Sequence, residues 1–134
     1  MSAIRLYARA VAGFETRLDT TVQRLKAAAS EHPGRIVQAT SLGAEDMVIT
    51  DLIARHRLPI AVATLDTGAL HAETQALMDR LEAHYALRLE RHAPEPAAVL
   101  RFVADHGPKA MVESLELRKA CCAIRKLQPL KRML

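Results

Sequence analysis

In Arg35-Ile-Val-Gln-Ala-Thr-Ser-Leu-Gly-Ala-Glu-Asp46 a short apolar run, 35–40, meets the turn Ser41-Leu-Gly43 and then a helix start at Ala44. An apolar run of this length flanked by turn residues suits a buried strand. The next segment repeats the pattern. Ala44 through His56 suits a helix, Pro59 opens a second strand over Ile60-Ala-Val-Ala-Thr-Leu65, and Asp66-Thr-Gly68 is the loop after it. Strands that alternate with helices of this kind need crossover connections, which give a parallel sheet covered by helices on both faces. The predicted fold class is therefore α/β, a single domain over residues 1–134 with a parallel sheet flanked by helices.

Working outward, residues 3–29 read as helix, with Phe14, Leu18, Val22 and Leu25 on one face and Gly13 a point of division. The breaker cluster Ser30-Glu-His-Pro-Gly34 ends it. Downstream, Leu70, Leu77, Leu81 and Tyr85 share a helical face, and Leu87-Arg-Leu-Glu-Arg91 is a third strand. Pro94-Glu-Pro96 opens a helix over Ala97 to Asp105, His106-Gly-Pro108 stops it, and the remainder to Leu134 reads as helical. There is no internal repeat, low-complexity segment or linker.

The 134 residues can bury about two-thirds of their unfolded surface, enough for a real core. With two Phe, two Tyr and no Trp that core is aliphatic, and there is no aromatic platform for single-stranded nucleic acid. No nucleic-acid partner is expected. A net charge of +4 allows an anionic partner without naming one. No segment approaches the ~18 apolar residues of a membrane span, and the N-terminus lacks a signal-peptide stretch. Two cysteines make no extracellular disulfide framework, so the expected compartment is the cytoplasm.

In open parallel sheets ligands bind beyond the carboxyl ends of the strands. Two loops leave strands there, Thr40–Asp46 and Leu65–Gly68. In the first, small hydroxyl residues, a glycine and a helix start make an anion cradle. The same residues also allow Ser41 simply to cap its helix, with Glu45 in the first turn. In the second, Asp66-Thr-Gly68 matches the aspartic-protease triplet, but that chemistry needs two carboxylates sharing a proton and only one copy is present.

The two cysteines, Cys121 and Cys122, are adjacent and lie among Arg118, Lys119, Arg125 and Lys126. Neighbouring cations lower a thiol's pKa and favour metal or redox chemistry, whereas burial on a helix would leave both as inert packing. Residues 118–132 hold six Lys or Arg and no carboxylate. His92 and His106 are further metal-ligand candidates, but two thiolates with no third and fourth ligand nearby make a poor zinc site.

Three segments occur together: Ala39-Thr-Ser-Leu-Gly-Ala-Glu-Asp-Met-Val48, then Thr64-Leu-Asp-Thr-Gly68 with His71-Ala-Glu-Thr74, then Leu117-Arg-Lys-Ala-Cys-Cys-Ala-Ile-Arg-Lys126 with Pro129-Leu130. In this order they resemble the assimilatory sulfonucleotide reductases, and more narrowly the thioredoxin-dependent bacterial adenylyl-sulfate reductases. The resemblance spans roughly residues 14–134. It implies a PP-loop-type, Rossmann-like adenine-nucleotide domain, with a phosphate loop at Thr40, Ser41 and Gly43 and a second nucleotide loop at Leu65, Asp66, Thr67 and Gly68. It implies substrate-side basic residues at Arg118, Arg125 and Lys126. It also implies that Cys121 and Cys122 are two ligands of a 4Fe–4S cluster, which in that branch is completed by a downstream Cys-x-x-Cys.

The activity so implied is reduction of adenosine 5′-phosphosulfate to sulfite and AMP, with thioredoxin as donor, in sulfate assimilation and cysteine biosynthesis. This sequence departs from the pattern in two places. The Cys-x-x-Cys and the family's nucleophilic tail cysteine are both absent. The expectation is therefore a C-terminally truncated, N-terminal part of a reductase, inactive alone and with no catalytic residue of its own. Apolar surface left uncovered would then drive homo-oligomer formation. Two other readings stay open: a phosphoadenylyl-sulfate reductase or other PP-loop adenylating enzyme, and a non-catalytic nucleotide-binding fragment. The adenylating enzymes use a Ser-Gly-Gly-x-Asp-Ser-like loop, from which Ser41-Leu-Gly-Ala-Glu-Asp46 departs at two positions.

Overall fold

The computed structural model describes residues 11–134. The first part of the helix expected over 3–29 lies outside them. Helix α1 runs Phe14–Glu31, directly after Gly13, whose φ of 80° places it in the left-handed region. Val22 and Ala29 are buried and Leu18 and Leu25 half-buried, as the period predicts, but Phe14 is exposed. It sits in the first turn, beyond the reach of the core.

Three βα units follow. Strand β1 is Val37–Thr40, α2 is Ala44–Arg55, β2 is Ala61–Leu65, α3 is Ala72–Tyr85, β3 is Leu89–His92 and α4 is Pro96–His106. The strands pair in the order β1-β2-β3, all parallel, with Thr40 opposite Thr64 and Leu65 opposite His92. β3 begins two residues later than the sequence suggests. Ala86 takes a left-handed φ of 50° after α3, and Glu82 Oε1 accepts the Leu89 N–H at 2.9 Å, which holds the chain out of the sheet until Leu89. Pro96 starts α4 where its fixed φ suits the first turn, and Gly107, at φ 88°, ends it.

The core joins Val62 and Leu89 of the sheet to Ile53 of α2, Met78 and Leu81 of α3 and Ala29 of α1. The other face of the sheet carries Ala39, Ala61 and Ala63, of which Ala39 and Ala61 are exposed. Helical cover on that side comes from the C-terminal helix, which packs against β2 and β3.

The stretch expected to be one helix to Leu134 is broken. A 3₁₀ turn at Ala110–Val112 precedes α5, Leu115–Cys122, whose N-cap Ser114 accepts the Leu117 N–H at 3.1 Å. A π-helical turn, Ala123–Leu127, then leads into α6, Gln128–Met133. A small second cluster of Phe102, Ala110 and Cys121, flanked by Leu117 and Ile124, joins α4 to α5.

Met78 is fully buried in the larger cluster. Met78→Ala is expected to lower unfolding free energy by about 2–5 kcal/mol. Val48→Ala, at a site 54% exposed, should change it by less than about 0.5 kcal/mol. Denaturant titration measures both, and a near-neutral Met78→Ala would show that Met78 lies outside the core.

Candidate functional site

Parallel pairing brings the ends of β1 and β2 side by side, and Thr64 Oγ1 donates to the Thr40 carbonyl at 2.8 Å. A cleft of about 380 Å³ opens at this edge. Thr40, Ser41 and Leu42 line one side, and Thr64, Leu65, Thr67 and Thr74 line the other. Lys126, Leu130 and Met133 close it from the C-terminal segment. Lys126 is the one charged residue among these lining residues.

The turn at 41–43 is organised by α2. Gly43 is the N-cap and has no side chain to cap with, so Ser41 does not cap the helix. The bonding runs the other way. Ser41 N–H and Ser41 O–H both donate to Asp46 Oδ2, at 2.7 and 2.6 Å. Leu42, at φ 64°, donates its N–H to Thr40 Oγ1 at 3.0 Å. Behind them Gln38 Nε2 donates to the Asp46 carbonyl, and the fully buried Thr50 hydroxyl donates to Gln38 Oε1.

The Ser41 hydroxyl, and then its N–H, hold the Asp46 carboxyl below the usual carboxylate range. A lowered folded-state pKa adds stability above the ordinary value, and that stability is lost as pH falls through the folded one. Gly43 is close-packed here: a Cβ would stand 3.4 Å from Ser41 Oγ.

In the second loop, Asp66 Oδ1 accepts the Gly68 N–H at 3.0 Å and Thr67 is buried. Arg125 Nη1 donates to the Thr67 carbonyl at 2.7 Å. This ties the loop to the π-helical turn, where a widened turn in an otherwise α-helical run is a frequent mark of a functional site. Of the three basic residues that the resemblance placed at the substrate, Lys126 lines the cleft and Arg125 supports its wall. Arg118 Nε instead donates to the Met111 carbonyl at 3.2 Å and holds the 3₁₀ turn.

Cys121 is buried beside Phe102 and Ala110, while Cys122 is half-buried, and both are free thiols. A four-iron cluster takes four thiolates. Among the described residues no group of three or more His, Cys, Asp or Glu is placed to hold a metal ion. His92 packs toward Glu90, at 3.5 Å, rather than toward the cysteines. The donor set present here is two thiolates, which does not fit a complete cluster.

Residues 35–134 match the phosphoadenosine phosphosulfate reductase domain. The chain belongs to that family. It is 54% identical over 99 residues to adenosine 5′-phosphosulfate reductase of Allochromatium vinosum, a match covering 74% of this chain and 39% of the relative. To the enzymes of that name from Burkholderia cepacia and Neisseria meningitidis serogroup A it is 44% and 46% identical, over 88% and 90% of this chain and 46% and 51% of theirs. The chain thus spans about half the length of these curated relatives, or less. Its fold matches the crystal structure of phosphoadenylyl-sulfate reductase from Candida auris, in a phosphate complex, with a TM-score of 0.66 at 21% identity, covering 93% of this chain and 63% of that one. The family matched and the three-stranded parallel sheet agree with the PP-loop-type nucleotide domain expected from sequence.

Sequence reasoning missed the partner of Ser41. Asp46 falls in the first turn of α2, where an acidic residue ordinarily serves the helix dipole. The signal that could have found it is the absence of a side-chain cap at Gly43. Thr64, Thr74, Leu130 and Met133 were missed as lining residues because they come from three separate elements, β2, α3 and α6.

Gly68 and Gly34 share a left-handed φ of 68° and 69°, but a Cβ on Gly68 would stand 3.4 Å from Arg125 Nη1 while one on Gly34 would meet nothing within 4 Å. Each alanine substitution is expected to cost about 1 kcal/mol in backbone strain. Gly68→Ala should cost more than Gly34→Ala, and the excess should vanish in an Arg125→Ala background. A double-mutant cycle by denaturant titration checks this, and equal costs in both backgrounds would mean that Arg125 does not crowd the loop.

Proposed function

We propose that this chain is the nucleotide-binding part of an adenylyl-sulfate reductase and holds adenosine 5′-phosphosulfate in the cleft between the Ser41 and Asp66 loops. One observation carries the reading. At the carboxyl edge of a parallel sheet, two short loops of small polar residues face a single lysine, Lys126. The apolar lining from Leu65 and Leu70 suits an adenine ring, and the hydroxyls of Thr40 and Thr67 with the Lys126 ammonium suit a sulfated phosphate. The names of the more similar relatives favour adenylyl sulfate over its 3′-phosphorylated form.

In this reading the chain's own residues bind and orient. Lys126 neutralises the phosphosulfate, and Arg125 fixes the Thr67 carbonyl so that the loop keeps its shape. Met133 and Leu130 shield the cleft from water. The sulfur is attacked by a thiol that is neither Cys121 nor Cys122, the S–O bond breaking so that AMP leaves and the sulfo group stays on that thiol. Cys121 is buried in an apolar cluster, and the pair is better suited to supply two of four thiolates to a 4Fe–4S cluster, the others coming from outside this sequence. Thioredoxin is the proposed electron donor, which would release sulfite from the attacking thiol.

Calorimetric titration should show AMP binding to the folded chain. Lys126→Gln should weaken it about tenfold or more, since a hydrogen bond to a charged group is worth roughly 1.5–3 kcal/mol. Adenosine 3′,5′-bisphosphate should bind no better than AMP. Absence of binding of both AMP and adenosine 5′-(methyl phosphate) by a folded sample removes the reading. Intact-mass spectrometry after incubation with adenosine 5′-phosphosulfate should show no adduct. An adduct abolished by Cys121→Ser or Cys122→Ser would make that cysteine the nucleophile.

A further inference from the structure

The donors of the Ser41-Leu-Gly43 turn, which the sequence marks as an anion cradle, already have partners on this chain. Asp46 Oδ2 takes both the N–H and the O–H of Ser41 at 2.7 and 2.6 Å, and Thr40 Oγ1 takes the Leu42 N–H at 3.0 Å. Ser41 itself lines the cleft. One full negative charge therefore rests directly behind a cleft wall, shared with the donors that would otherwise face a ligand phosphate.

A single cation stands against it. Lys126 is the one charged residue among the described lining residues. From α2 itself comes a second carboxylate, Glu45, whose Oε2 would lie 3.7 Å from a Cβ on Gly43. In the facing loop Asp66 accepts from Gly68, and the Arg125 guanidinium is turned to the Thr67 carbonyl. One ammonium against this arrangement balances a phosphoryl group with a single charge better than one with two.

We propose that Asp46 is a specificity-determining residue. Its carboxylate, held on Ser41, makes the cleft favour a phosphoryl group bearing one negative charge over a terminal phosphate bearing two. The inference rests on the nucleotide reading of the cleft given above. In a phosphosulfate the phosphoryl group is bonded on both sides and carries one charge. The monoester left when the S–O bond breaks keeps the bridging oxygen and its electron pair, so its phosphoryl group bears two charges above a second pKa of about 6. The discrimination is by charge on the phosphoryl group itself, the sulfuryl group of a phosphosulfate carrying its own second charge.

Two probes separate charge from shape: AMP, a dianion at pH 8, and adenosine 5′-(methyl phosphate), a monoanion with the same base, sugar and phosphorus. Wild-type protein should bind the methyl ester more tightly than AMP. Asp46→Asn keeps an acceptor for Ser41 and removes the charge. It should tighten AMP about tenfold, the scale of one unit-charge repulsion across a partly solvated site, while the methyl ester changes by less than about twofold. The wild-type preference should shrink as salt is raised.

Thermal unfolding confirms that each variant is folded, and Asp46→Glu, which restores charge, should restore the preference. An equal shift for both probes, or weaker binding of both, overturns the proposal and makes Asp46 a residue that only positions the loop. Failure of folded wild-type protein to bind either probe removes the cleft reading and this inference with it, a result distinct from an equal shift.

Discussion

Parallel pairing constrains everything that follows in this molecule. It sends the chain out of β1 and β2 on the same edge, so the Ser41 and Asp66 loops must open side by side, and the Thr64–Thr40 hydrogen bond locks that register at its last step. The crossovers occupy residues 41–60 and 66–88, and the cleft lies beyond the strand ends. Its cover is left to the helical segment after α4. The bond from Arg125 to Thr67, across 58 residues of sequence, is how that segment is fixed to the edge. A second bond, from Arg132 Nη2 to the Ala93 carbonyl at 2.6 Å, holds α6 further along.

The order of the βα units was legible because each boundary is written in local chemistry. Apolar runs end at Thr40 and Leu65, prolines stand at 33, 59 and 96, and glycines stand where φ is positive, at 13, 34, 68 and 107. These features act within a few residues, which is the range a sequence pattern can express. Leu42, Arg57 and Ala86 depart from this, being non-glycine residues with positive φ. A leucine in the left-handed region is held there by the Leu42 N–H bond to Thr40 Oγ1 and by burial of its side chain, and neither is visible before the sheet forms.

The basic residues show the same limit. Arg118 and Arg125 are seven apart, so a continuous helix of about 3.6 residues per turn would set both on one face. The π-helical turn at 123–127 adds a residue to that turn and rotates the later face away from the earlier one. Arg125 and Lys126 thereby reach the loops, and Arg118 stays with the Met111 carbonyl. Composition had grouped the three by charge and resemblance had grouped them by position. Helical phase, which depends on how the turn packs against Phe102 and its neighbours, separates them.

Charge acts here on two scales that favour different things. The net charge of +4 draws any anion toward the molecule, with a reach of about one Debye length, ~8 Å in physiological salt. Inside the cleft that bias is nearly cancelled, because Lys126 stands against a carboxylate already lodged on Ser41. Were the cleft as positive as the surface, the most highly charged ligand would bind best. A wall close to neutral leaves more of any binding to apolar lining such as Leu65 and Leu70. Asp46 is thus more informative in the structure than in the sequence. Read as a first-turn acid it belongs to the helix dipole, but bonded to Ser41 it belongs to the site.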